Sequence, residues 1–172
     1  EARRKLLRAV QDTVLLGVTS NQRLLIDLLK QEDFIAGDFS TGFIAEHFNE
    51  LPRQAATNEQ IALAAALFYQ HSARAHRQGL AGWRNNASVP WTYRLEINQQ
   101  THDITVSVLE DNRLLANGID ISSLRTDGRR TTLVINDIRR RVAYHLDHTQ
   151  LWLPGMQGIN RTQTRPGRLA EA

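Results

Sequence analysis

The sequence predicts an α+β protein: an antiparallel β-barrel of seven to eight strands around a long central helix, preceded by an incomplete α/β piece. Three observations lead there. The stretch Thr57–Gly79 has helix signals at both ends and nine consecutive apolar residues, Ile61 to Tyr69. After it come short alternating segments separated by turn residues about every eight to twelve positions. Before it, roughly fifty residues read helix, strand, helix, short helix, which is too little chain to close a core.

In that first piece, Leu6, Leu7 and Val10 recur at helical spacing, leaving Arg3, Arg4 and Arg8 for solvent. "TVLLGV" (Thr13–Val18) is β-branched and aliphatic, and its length suits a short buried strand. Thr19 and Gln22 have capping-box spacing ahead of a helix with Leu25, Leu28 and Leu29 on one face. Ser40 or Thr41 is placed to cap "GFIAEHF", which Pro52 stops. A lone strand would have unpaired edges, so the piece reads as the trailing end of a larger α/β domain.

Thr57 and Gln60 also fit a capping box, and Gly79 stands where a left-handed C-terminal cap belongs. A surface helix shows one apolar stripe. Here Ile61, Leu63, Leu67, Phe68 and Tyr69 point several ways with Ala between them, so the first half is expected to be enclosed. The second half, "HSARAHRQ", is polar and expected to emerge into solvent.

Beyond the irregular loop Leu80–Pro90, "WTYRLEIN" alternates, with Trp91, Tyr93, Leu95 and Ile97 on one face. "DITVSVL" does the same with Ile104, Val106 and Val108. Asn117-Gly118 is a type I′ hairpin signal, and Asp127-Gly128 and Asn136-Asp137 mark further turns. "IRRRVAYHL" sets Ile138, Val142, Tyr144 and Leu146 inward, Arg139, Arg141 and His145 outward, and Arg140 near the rim. "TQLWL" closes a series of seven strands, eight if the Trp83 stretch contributes one. A sheet curled around Ile61–Tyr69 buries both apolar surfaces together. After Trp152 the Gly-, Pro-, Thr- and Arg-rich stretch lacks periodicity and reads as linker. The expected domains are therefore 1–53, 54–154, and a linker at 155–172.

No apolar run approaches the length that spans a bilayer, and the start lacks a secretory signal pattern, so cytoplasm and no membrane partner are expected. With no Cys, thiolate catalysis and Cys-ligated zinc are excluded. The net charge of +3 comes from Arg spread along the chain, with Lys5 and Lys30 the only lysines, which argues against a nucleic-acid partner. The alternative kept open is a nucleic-acid-binding barrel using Arg139, Arg141 and exposed aromatic residues.

Candidate catalytic residues are none. His71 and His76 lie five apart, off one helical face, and read as solvent-facing; His145 and His148 read the same way. "GVTSN" lacks the glycines and lysine of a phosphate loop. Trp83, Arg84, Asn85, Asn86 and Trp91 concentrate residue types common at interface hot spots, so they are the candidate partner-binding set; the competing role is to plug the barrel end.

"LLGVTSNQRLLIDLLKQEDFIAGDFSTGFIAEHF" resembles the C-terminal end of a biotin carboxylase domain, with Gly17, Val18, Ser20, Asn21, Leu24, Leu25, Phe34, Gly37, Thr41, Phe43 and Ile44 at the places of that pattern. The helix, loop and strands after it resemble the linking, or BT, domain between biotin carboxylase and biotinyl domains in α subunits of acyl-CoA carboxylases, nearest to the methylcrotonyl-CoA and geranyl-CoA type. The resemblance implies a helix inside a barrel and a hook-like loop that reaches the carboxyltransferase β subunit. It also implies a parent enzyme that uses ATP, Mg and bicarbonate to carboxylate biotin and passes the carboxyl group to an acyl-CoA. By the same resemblance Phe43 and Ile44 approach an adenine pocket. The ATP-grasp catalytic residues and the Ala-Met-Lys-Met biotin acceptor have no counterpart here, so this stretch is expected to hold no cofactor and to be non-catalytic by itself. The implied partners are the β subunit and the biotin carboxylase and biotinyl domains of the same chain.

Overall fold

The computed structural model describes residues 1–18, 20–48, 55–75, 89–154, 156 and 158–166. The chain divides into two compact units, Glu1–Ala55 and Ala56–Ala172.

The first unit is helical: α1 (Ala2–Asp12), α2 (Gln22–Lys30), α3 (Glu32–Ala36) and α4 (Phe43–His47). The strand expected at Thr13–Val18 does not form. Thr13 N–H closes back on Ala9 O at 3.1 Å, Gly17 turns the chain at φ 79°, and no strand among the described residues of this unit is available to pair with it. An extended segment without a partner leaves its backbone groups to water. Thr19 lies outside the described residues, and Gln22 has a different role from the one expected. It opens α2 behind an Asn21 N-cap, and its side-chain amide donates to Val10 O (2.5 Å) and Thr13 O (2.7 Å), tying α1 to α2. Ser40 Oγ accepts from Gly42 N–H at 3.1 Å just before α4, whose N-cap is Gly42. α3 ends on Gly37 in the left-handed region at φ 83°, where a side chain would be strained.

The second unit is a helix wrapped by a sheet. α5 (Asn58–Ala75) starts with a reciprocal capping box: Gln60 N–H donates to Thr57 Oγ1 (3.2 Å) and Thr57 N–H to Gln60 Oε1 (2.9 Å). These bonds satisfy two of the donors that every helix start leaves orphaned. Gly79 lies outside the described residues. Every residue from Ile61 to Phe68 is buried, and Ala64, Ala65, Ala66 and Phe68 are wholly without exposed surface.

Among the described residues there are nine strands: β1 (Trp91–Ile97), β2 (Gln100–Val108), β3 (Leu114–Ala116), β4 (Ile119–Asp127), β5 (Arg130–Ile135), β6 (Ile138–Ala143), β7 (His145–Asp147), β8 (Gln150–Trp152) and β9 (Ile159–Pro166). They form one antiparallel sheet in the order β6-β5-β4-β3-β2-β1-β9-β8-β7. Because β6 and β7 are separated by Tyr144 alone, the two ends of this order meet along the chain and the barrel is nearly closed. Two-residue turns set the register. Asn98-Gln99, Asn117-Gly118 and Asn136-Asp137 each have both residues at positive φ, as type I′ hairpins require.

Tyr93, Leu95, Ile97, Ile104, Val106, Leu114, Ala116, Ile121, Leu133, Ile135, Leu151 and Ile159 point inward and share one core with Ile61–Phe68. Ile159–Pro166, expected as linker, is instead a strand between β1 and β8. Its polar sequence misleads because β9 carries a single aliphatic residue, Ile159, which is buried beside Leu151 of β8. Ile138, expected inward, is 56% exposed, since the Asn136-Asp137 turn carries it to the rim. The buried hydroxyl of Thr131 donates to Arg125 O at 3.2 Å, beside the bulge that shifts the β4–β5 register between Ser122 and Arg125.

Phe68→Ala is expected to cost about 3–5 kcal/mol in urea denaturation of the barrel unit, the range for emptying a buried aromatic site. Thr57→Ala is expected to cost about 1 kcal/mol through the lost cap. Ile44→Ala, at an exposed position, is expected to stay within about 0.5 kcal/mol of the parent.

Candidate functional site

Phe43 and Ile44 are consecutive on α4 but differently placed. Phe43 is buried, its ring 6.3 Å from those of Phe34 and Phe39, 6.2 Å from Phe48, and stacked on His47 at 4.5 Å. His47 is held in turn by Phe43 O (3.2 Å) and Asp33 (3.1 Å). Phe43 therefore anchors the small unit, while Ile44 is 52% exposed and has surface to offer a ligand. Around them the unit has little interior. Leu29 and Phe43 are its buried apolar residues among those described, whereas Leu6, Val14, Leu15, Val18, Ile35 and Phe39 are all exposed.

Of the candidate partner-binding set, Trp83, Arg84, Asn85 and Asn86 lie outside the described residues. Trp91 opens β1, cross-paired with Val106 on β2 and Pro166 on β9, and is half-buried against the core. It thus belongs to the barrel wall on the inward face that alternation predicts.

In the polar second half of α5, expected to emerge into solvent, His71 and Arg74 are exposed, and residues 76–78 lie outside the described residues; side chains around the end of the apolar run also bond to the barrel. Gln70 donates to Leu124 O at 3.0 Å, beside the β4 bulge where Ser123 has φ 51°. Arg74 donates to Thr126 Oγ1. Arg161 of β9 lies 5.1 Å above the Phe68 ring, donates to Ser72 Oγ (3.3 Å) and to His148 O (3.3 Å), and so covers the end of the apolar run. At the other end Arg140 pairs with Glu59 at 3.2 Å, which agrees with a side chain at the rim. Spacing within β9 carried no sign of Arg161, because its partners are 89 and 13 residues distant in sequence.

A cleft of about 510 Å³ opens at the start of α5, with Ile61, Ile104 and Ile119 beneath and Asn58, His102 and Asp103 around it. Asp103 makes a two-pronged pair with Arg94, Nε and Nη2 each at 2.8 Å. This hydrogen bonding, and then the carboxylate charge, raises the Arg94 guanidinium above its ordinary value, so the arginine stays charged throughout the working pH range. His71 is exposed, His145 stacks on Trp152 at 5.1 Å, and His148 bonds Asp147 at 2.5 Å; His76 lies outside the described residues. Among the described residues no cluster of three metal-ligating side chains occurs, and no helix is long and apolar enough to cross a membrane.

Arg161→Gln is expected to lower stability by about 1–2 kcal/mol in thermal or urea melts, through loss of the cation–π contact and the charged hydrogen bonds.

No curated protein matches the chain by sequence. A family model described as "Methylcrotonyl-CoA carboxylase, alpha-subunit, BT domain" matches residues 57–166, more than half of the 172 residues. That span begins at the capping residue of α5 and ends at the last residue of β9, so it coincides with the helix and the sheet that encloses it. The chain accordingly belongs to this family, the BT domains of biotin-dependent carboxylase α subunits.

Proposed function

We propose that this chain is a non-catalytic part of an acyl-CoA carboxylase α subunit, and that its barrel docks the carboxyltransferase β subunit. The observation that carries this reading is the coincidence of the family match with a barrel whose interior is filled by α5. A barrel packed in that way has no lumen to offer a small substrate, so its outer surface and connections are what remain for function.

The connection from Ala75 to Trp91 is the proposed docking element, with Trp83, Arg84, Asn85 and Asn86 as its contacts and Trp91 fixing its end in the barrel wall. Tryptophan and arginine dominate binding energy at interfaces because they bury large area at modest entropic cost. The helix end before this connection is fastened by Gln70, Arg74 and Arg161, and β1 after it is paired on both sides. Both anchors of the loop are therefore rigid, which lowers the ordering cost of binding.

Glu1–Ala55 is proposed to be the C-terminal end of a biotin carboxylase domain, with Phe43 and Ile44 on its nucleotide side. Its exposed Val14, Leu15, Val18, Ile35 and Phe39 support this, since apolar surface of that extent is covered in a complete domain. In the parent enzyme, ATP and bicarbonate carboxylate biotin, and the carboxyl group then moves to an acyl-CoA in the cytoplasm. The barrel's contribution is positional: it keeps the two reaction centres within reach of one tethered biotin, raising its effective concentration.

Capture of the carboxyltransferase β subunit by this chain, measured by calorimetry, is expected to weaken by about 30-fold or more for Trp83→Ala or Arg84→Ala. Binding that is unchanged in both variants, or absent in the parent chain, would sink the docking assignment.

A further inference from the structure

The barrel is closed by one continuous stretch whose first half, β6, pairs with β5 and whose second half, β7, pairs with β8. β8 is three residues long and stops at Trp152. Continuing its register would set residue 154 opposite 143 and residue 158 opposite 139. The chain turns there instead, with Met156 N–H closing on Leu153 O at 3.2 Å. Among the described residues, the side of β6 away from β5 therefore has no strand beside it.

The register decides which backbone groups face that side. The two-residue turn makes Ile135–Ile138 a hydrogen-bonded pair, and Tyr144 N–H donates to Arg129 O at 2.8 Å three pairs further along in the same alternation. Ile138, Arg140 and Val142 thus spend their N–H and C=O groups on β5. Arg139, Arg141 and Ala143 direct theirs outward from the sheet edge.

The side chains on this edge select its occupant. Arg139 and Arg141 are exposed on the outer barrel face, beside Arg130 and Arg125 of the neighbouring strands. None of these four makes an ion pair among the described residues. On the other face Ile138 is exposed and Val142 half-buried. A second copy of the chain would bring Arg against Arg, which opposes edge-to-edge pairing.

We propose that the free edge of β6 is a strand-addition site for an extended protein segment in which acidic and aliphatic residues alternate. The segment's backbone bonds Arg139 and Arg141, its carboxylates meet their guanidinium groups, and its aliphatic residues cover Ile138 and Val142. This proposal does not depend on β-subunit docking.

The test titrates the full chain with a fluorescent eight-residue peptide alternating glutamate and valine. Binding is expected, with the amides of Arg139 and Arg141 gaining protection from hydrogen exchange. The same peptide N-methylated at alternate residues should bind about tenfold or more weakly, because it lacks the donors that pair with the edge. Arg139→Glu with Arg141→Glu should lose the acidic peptide and accept a lysine–valine peptide instead. An Arg139→Gln/Arg141→Gln chain serves if the charge reversal fails to fold, and it should bind the acidic peptide about tenfold or more weakly. Absence of peptide binding, equal binding of the N-methylated peptide, indifference to both double substitutions, or preference for an oligothymidylate of matching charge would each overturn the proposal.

Discussion

The structure depends on one constraint: Ile61–Phe68 is apolar on every side of a helix, so something must surround it. Each fully buried Leu or Phe there contributes about 1.5–3 kcal/mol relative to exposure. No single layer covers all of them. A sheet curled through most of a circle does, and it gains the same benefit for its own inward row of Tyr93, Leu95, Val106, Ile121 and Leu133. The alanines decide how close the wall can come. Ala64, Ala65 and Ala66 have no exposed surface, which requires strands to pass directly over the helix backbone.

That arrangement makes the ends of the helix the remaining problem. Its start is solved locally by the Thr57–Gln60 box and across the fold by the Glu59–Arg140 pair. Further along, Gln70, Arg74 and Arg161 supply polar partners where the apolar run gives way. The helix is held both by the non-directional pull of its buried face and by directional bonds that fix its rotation and depth. A filled barrel with a fixed helix is suited to presenting surfaces at set distances. That agrees with its membership of a family of carboxylase α-subunit domains.

The two units contrast in how far they satisfy themselves. Among the described residues of Ala56–Ala172 the large apolar side chains are gathered into one interior, and Ile138 is the large exposed exception. Among the described residues of Glu1–Ala55, Leu29 and Phe43 are the buried large apolar side chains while eight others are exposed, and the aromatic cluster around Phe43 is too small to gather them. The same composition of helices in a complete layer would show one buried face, so the difference lies in what is available to pack against and not in propensity.

The sequence by itself determined the enclosed helix, its capping box, the alternating inward faces of β1 and β2, and the hairpin turn at Asn117-Gly118. All of these rest on residues near one another in the chain, where period and cap chemistry operate. It also carried the family resemblance through the order of helix, loop and strands. The tertiary structure alone decided that Thr13–Val18 stays unpaired and that Ile159–Pro166 becomes a strand, because pairing depends on a neighbour and not on the segment's own residues. It likewise decided that Arg161 covers Phe68, that Gln22 ties two helices, and that among the described residues β6 has no strand on its side away from β5. The Arg161 contact and the edge of β6 are set by where the sheet curls back on itself, and the Gln22 tie by how α1 and α2 pack, and no local pattern encodes either.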